Sequence, residues 1–163
     1  MTAFRAGDEV FGDLTEFGYG AFAEYACAAE RAWAHKPPSM SFEDAATVPQ
    51  SGILALQNLR GRRRIGPGDR VLVNGAGGSF GTFAVQLAKV LGAHVTAVDS
   101  APKLEMLRTI GADRVIDYAQ EDFTDGPDTY DVIFDVVRGT PSARMVRSLT
   151  ENGWLLMANP GFL

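Results

Sequence analysis

A chain of 163 residues with one cysteine and a formal net charge of −5 is long enough for a domain with a packed core. The acidic balance excludes a nucleic-acid backbone as the main partner, because such binding rests on cationic neutralisation of phosphate. The lone Cys27 excludes an intrachain disulfide and a cysteine-rich zinc site, and no stretch approaches the ~20 apolar residues of a membrane-spanning helix; a soluble protein of the reducing cytoplasm, with no membrane partner, is expected.

In chain order, "GDEVFG" (7–12) and "GAFAEYACAAERAWAHK" (20–36) are short runs rich in Val, Phe, Tyr and Ala between glycine turns, and read as β-structure. Pro37 and Pro38 block regular pairing, and Ser41 to Asp44 has the Ser-x-x-acid form of a helix start. "RGRRRIGPGDR" (60–70) reads as a solvated turn. From Arg70 the pattern alternates. "RVLVN" is a strand, Thr82–Leu91 a helix stopped by Gly92, and "HVTAVD" a strand. "PKLEMLRTI" is a helix between Pro102 and Gly111, and "RVIDY" and "YDVIFDVV" are strands. "SARMVRSL" is a helix ending before Gly153, and "WLLMA" is the fifth strand of this part. Strands this apolar, alternating with helices, imply a parallel sheet covered on both faces. Cys27, Trp33 and Trp154 read as packed residues.

Between the first of these strands and its helix, Ala76, Gly77, Gly78, Ser79, Phe80 and Gly81 keep the spacing of the G-x-G-x-x-G dinucleotide fingerprint with alanine in the first place, and Gly75 sits just ahead. The chemistry demands small residues there. One makes the turn, one lets the backbone approach a pyrophosphate, one lets helix and strand touch, and the helix N-terminus faces the anion. Asp99 closes the next strand at the distance the fingerprint requires. A methyltransferase also uses a glycine loop, but would carry an acid near the end of the first strand, where Asn74 stands.

"GDEVFG", "GAFAEYACAAE", "KPPSMSFEDAATVP", "VLVNGAGGSFGTFAVQLAK", "GADRVIDY" and "YDVIFDVV" occur in this order, and the chain resembles the medium-chain dehydrogenase/reductase superfamily, most of all its zinc-free quinone oxidoreductase and enone reductase branch. The resemblance implies an α/β fold: a Rossmann doubly wound parallel sheet over 41–163, lacking its last strand, preceded at 1–40 by a β-rich remnant of a GroES-like catalytic domain. Family members run to roughly twice this length, which implies a truncation or a part of a longer protein.

The same resemblance implies no zinc. The interval "DLTEFGY" (13–19) is too short for the four-cysteine loop of zinc-bearing relatives, and "TVPQSGIL" (47–54) lacks a cysteine. His35 and His94 read as structural or surface residues. Ser100, Lys103 and Tyr118 fall where NADPH-preferring relatives hold the adenosine 2′-phosphate, whereas Asp99 falls where NAD-preferring relatives bind both ribose hydroxyls. Three positions against one favour NADP(H) slightly over NAD(H). Asn159, Pro160 and Gly161 follow the fifth strand at the edge where such sheets bind ligands, so Asn159 joins the expected cofactor site or a plain turn. Leu54 replaces the Thr or Asn often found beside the nicotinamide, and no catalytic residue is assigned.

The function implied is an NAD(P)H-dependent oxidoreductase acting on a small quinone or conjugated carbonyl, homodimeric in its full-length form. A non-catalytic dinucleotide-binding module and, more remotely, a methyltransferase-like protein are the alternatives.

Overall fold

The computed structural model describes residues 3–61, 64–137 and 139–158. The chain divides into two compact units between Ile53 and Leu54.

In the first unit, β1 (Val10–Gly12) pairs antiparallel with β2 (Trp33–His35), with Val10 opposite His35. Lys36, next in sequence, is buried, yet its ammonium is well supplied: it donates to Met40 O at 2.6 Å and Pro37 O at 3.3 Å and pairs with Glu9 at 3.1 Å. These contacts fold the Pro37–Met40 turn back onto the residue preceding β1. Helix α1 (Phe42–Thr47) begins where expected, because the Ser41 hydroxyl accepts from the Asp44 N–H at 3.0 Å and so satisfies an orphan donor of the first turn. The β reading fails over Gly20–Ala29, where no strand forms. Strands persist through hydrogen bonds to a neighbour, and among the described residues none runs beside this segment. Cys27 is therefore exposed rather than packed, as are Phe22 and Tyr25.

Helix α2 (Pro49–Leu59) occupies a stretch to which the sequence reading assigned no element. Pro49 is its first residue, where a missing N–H costs nothing because first-turn donors have no intrahelical partner. Arg60 and Arg64 of the turn that follows are exposed, while Arg62 and Arg63 lie outside the described residues.

The second unit holds the parallel sheet. Its strands are β3 (Arg70–Asn74), β4 (His94–Asp99), β5 (Arg114–Asp117), β6 (Tyr130–Asp135) and β7 (Leu149–Met157), ordered β5-β4-β3-β6-β7. Crossovers are made by α3 (Ser79–Val90), α4 (Leu104–Thr109) with a 3-10 turn before it, and α5 (Ser142–Arg147). Alternation along the strands gives each face a core. Val71, Val73, Val95, Ala97, Val132 and Phe134 pack with Ala84, Val85 and Ala88 of α3 on one side. Leu72, Val98, Ile116 and Ile133 pack with Met145 of α5 on the other. Burial of these apolar faces, at roughly 25 cal/mol per Å² removed from water, is what holds helices on a sheet of this kind.

One boundary is a correction. Gly153 does not stop a helix; α5 ends at Arg147 and Gly153 lies inside β7, where the register with β6 slips between Tyr130 and Val132. A Cβ on Gly153 would stand 2.9 Å from Tyr130 O, so glycine is there for close approach at a bulge. Trp154, on β7, which among the described residues pairs only with β6, is 37% exposed and not a core residue.

Candidate functional site

At the carboxyl ends of β3, β4 and β6 lies a groove of about 750 Å³ lined by Asn74, Gly75, Gly78, Ser79, Phe80, Gly81, Val98, Asp99, Ser100, Lys103, Tyr118, Glu121, Asp122, Phe123, Val136, Val137, Gly139 and Thr140. Its floor is the turn from β3 into α3. Gly75 has φ +86°, and a Cβ there would come within 2.5 Å of Val137 and 2.7 Å of Val136, so both conformation and space demand glycine. The N–H groups of Gly75 and Ala76 both donate to Val98 O at 3.0 Å, locking the turn to β4. Gly81, in the first turn of α3, is pressed so close that a Cβ would stand 2.6 Å from the Ala76 Cα.

Helix α3 starts from Gly78, which brings no side-chain cap. Its first N–H groups, which no helix can satisfy internally, therefore face the groove together with the positive end of the helix dipole. Such an end suits a phosphate oxygen.

Asp99 is buried beside this turn. Its Oδ2 accepts the Gly77 N–H at 2.7 Å, and its Oδ1 accepts the Ser100 N–H at 2.8 Å and hydroxyl at 3.2 Å and pairs with Lys103 at 3.3 Å. Burial acts to raise this carboxyl, but the Ser100 and Gly77 N–H groups and Lys103 outweigh it and hold the group below the ordinary carboxylate value. Asp99 is thus a satisfied anion turned into the turn that carries it.

Across the groove, Asn74 Nδ2 donates to Asp135 Oδ1 at 2.8 Å; the two residues face each other on β3 and β6. Burial pushes the Asp135 carboxyl up, against the opposing pull of the Asn74 amide and the Val137 N–H. The far wall is pinned by ion pairs: Glu121 with Arg114 at 2.5 Å and Asp122 with Arg144 at 3.1 Å.

Of the residues expected at a cofactor site, Gly75, Gly78, Ser79, Phe80, Gly81, Asp99, Ser100, Lys103 and Tyr118 all line this one groove. Ala76 is fully buried beneath it, and Gly77 contributes its N–H to Asp99 rather than a lining surface. Asn159 lies outside the described residues. The residues that sequence reasoning missed are Asn74 and Asp135, the β6 exit at Val136, Val137, Gly139 and Thr140, and the Glu121–Phe123 wall. All but the last group stand at or just past a strand's carboxyl end, where doubly wound sheets bind ligands, and that rule could have pointed to them. Among the described residues no group of three or more His, Cys, Asp or Glu side chains is placed to hold a metal, and no helix is long and apolar enough to cross a membrane.

A family model described as zinc-binding dehydrogenase matches residues 80–158. The chain is 35% identical over 167 aligned positions to a chloroplast envelope quinone oxidoreductase homolog of Arabidopsis thaliana, covering 97% of this chain and 51% of that protein. It is 39% identical over 156 positions to the 2-methylene-furan-3-one reductase of Solanum lycopersicum, covering 90% of this chain and 40% of that protein. Among solved structures, the quinone oxidoreductase from Coxiella burnetii superimposes with a TM-score of 0.85 at 32% identity, covering 94% of this chain and 49% of that one. An Escherichia coli quinone oxidoreductase complexed with NADPH does so with a TM-score of 0.85 at 28% identity, covering 95% and 49%. The chain thus spans about half the length, or somewhat less, of the curated relatives it matches.

Proposed function

The chain belongs to the medium-chain dehydrogenase/reductase superfamily, and from that premise we propose that it binds NADPH in the groove at the carboxyl edge of its sheet and serves a zinc-independent oxidoreductase acting on quinones or conjugated carbonyl compounds. The observation that carries this reading is the side-chain-free start of α3 at Gly78, set in a groove that also gathers Ser100, Lys103 and Tyr118. The residues present fit a dinucleotide. The N-terminus of α3 would take the pyrophosphate, and the Ser100 hydroxyl, the Lys103 ammonium and the Tyr118 phenol would take a 2′-phosphate.

The internal pairing of Asp99 supports NADP over NAD. A free carboxylate at that position would accept ribose hydroxyls and repel a 2′-phosphate, but Asp99 is 7% exposed and already bonded to Gly77, Ser100 and Lys103. When bound, the reduced nicotinamide supplies a hydride to a carbon made electrophilic by conjugation. The chain's own part is to bind, orient and exclude water, through the locked β3–α3 turn and the apolar Val136 and Val137 at the β6 exit. The reading without zinc rests on the donor chemistry: the only cysteine, Cys27, is a single exposed thiol. A lone free thiol also supports a reducing compartment such as the cytoplasm.

The test is a side-by-side fluorescence titration with NADPH and NADH, with and without Lys103→Ala, followed by an assay of NADPH consumption with a simple quinone. We expect NADPH to bind more tightly and K103A to reduce its preference about tenfold or more, as for loss of a charge-assisted hydrogen bond. Equal or tighter NADH binding overturns the NADP assignment. Binding without consumption assigns this chain the binding role alone.

A further inference from the structure

Asn74 is 5% exposed, yet it lines the groove. An ionised carboxylate can only accept hydrogen bonds, so the side-chain amide gives Nδ2 to Asp135, at 2.8 Å, and is left with Oδ1. Among the described residues nothing donates to that oxygen. Buried acceptors are nearly always satisfied, by protein, water or ligand. The pair's place in the sheet says which part of a ligand would meet it. β3 has β4 on one side and β6 on the other, so Asn74 and Asp135 stand at the switch point where crossovers change direction. Asp99, Ser100, Lys103 and Tyr118 stand on the β4 and β5 side of the glycine turn, and Asn74 opens toward β6.

Resting on the NADPH reading, we propose that Asn74 Oδ1 accepts a hydrogen bond from a sugar hydroxyl on the nicotinamide side of the bound dinucleotide, and that Asp135 is the positioning residue that holds the amide in the orientation this requires. Asp135 does so from a site 4% exposed, taking the Asn74 amide on its Oδ1 while the Val137 N–H also donates to its carboxylate. The arrangement selects a hydroxyl donor and disfavours a carbonyl or phosphate oxygen at the same spot, since two acceptors repel. It makes Asn74 a binding residue that the glycine fingerprint does not include.

The test compares NADPH with adenosine 2′,5′-bisphosphate, a probe that carries the adenine side and its 2′-phosphate but no nicotinamide ribose, on the unaltered chain and on Asn74→Leu, Asp135→Leu and Asp135→Asn. We expect N74L to weaken NADPH about tenfold, the size of one good hydrogen bond, while leaving the bisphosphate unchanged, which also shows that the variant is folded. D135L removes the acceptor that anchors the amide and should weaken NADPH alone in the same way; D135N keeps an acceptor and should restore it. A merely structural role would weaken both ligands together and would not be rescued. Unchanged NADPH affinity in N74L, as expected if a water meets Oδ1, overturns the proposal, and so does equal weakening of both ligands. Should N74L bind neither ligand, the D135L and D135N pair decides by the same split. Failure of the unaltered chain to bind NADPH at all is a distinct result; it refutes the nucleotide reading itself and this inference with it.

Discussion

Asp99 and Asp135 both end parallel strands and both are buried, yet the first carboxyl is held below its ordinary value of 3.8 and the second is pushed above it. The reason is supply: Asp99 has two N–H groups and an ammonium, whereas Asp135 has an amide and one N–H and no cation. The signs for stability are therefore opposite. A carboxyl with a lowered folded pKa contributes stability that is present above its unfolded value and lost as pH falls through the folded value; one with a raised folded pKa contributes stability that is present below its unfolded value and lost as pH rises through the folded value. In urea denaturation between about pH 3 and about pH 7, Asp99→Asn should cost most at the neutral end and progressively less toward acid, while Asp135→Asn should improve relative to the unaltered chain as pH rises. Parallel pH curves for both variants and the parent would contradict this assignment. The sequence marked Asp99 by its distance from the glycine turn and passed over Asp135, and gave no sign that the two carboxyls would shift in opposite directions, since each simply ends an apolar strand.

At the scale of elements, α3 and β7 carry the consequences. Gly78 has an extended backbone, and a Cβ there would meet only Gly75 O, at an ordinary 3.7 Å. Its lack of a side chain is therefore not needed for folding. Gly78→Asp would cap α3, worth roughly a few tenths of a kcal/mol relative to glycine, and would place a carboxylate where the pyrophosphate is to sit. We expect a melting temperature equal to or above that of the parent and NADPH affinity weakened at least about tenfold; retained affinity would remove the helix start from the site. β7 pairs with β6 on one side and, among the described residues, with no strand on the other. Its open hydrogen-bonding edge and exposed Trp154 and Met157 should drive self-association. Light scattering should show mass rising with concentration, and Trp154→Lys should reduce the rise; a concentration-independent monomer would contradict the edge argument. Most elements of the second unit were legible in sequence, because alternating apolar strands, helical spacing and glycine stops are local signals. Gly153 misled because glycine serves a strand bulge as readily as a helix end. The Gly20–Ala29 segment misled because β-propensity reports fit to a neighbour, and the neighbour is what this segment lacks among the described residues.

For the whole molecule, the two units offer separate reporters, Trp33 in the first and Trp154 in the second. A ligand bound only by the native second unit stabilises it by about 2.7 kcal/mol at a concentration one hundred times its Kd. In a Trp33→Phe variant, the thermal transition reported by Trp154 should therefore move upward with NADPH and not with NMN, which lacks the adenosine and its phosphate. A transition indifferent to NADPH would place the nucleotide elsewhere or nowhere.

A resemblance to known relatives pointed to Ser100, Lys103 and Tyr118, which the structure brings to one groove; the sequence by itself determined the strand, glycine turn and helix of the fingerprint and the parallel alternation around it. These last follow from spacing within a few residues and from which side chains must be apolar to be buried on both faces of a sheet. Only the tertiary structure decided that Asp99 turns its acceptors to Gly77, Ser100 and Lys103, that Asn74 meets Asp135 from 61 residues away, and that Trp154 lies on a strand with one neighbour among the described residues. Such pairings depend on strand order and register, which place distant residues side by side, and no local pattern of the chain carries that information.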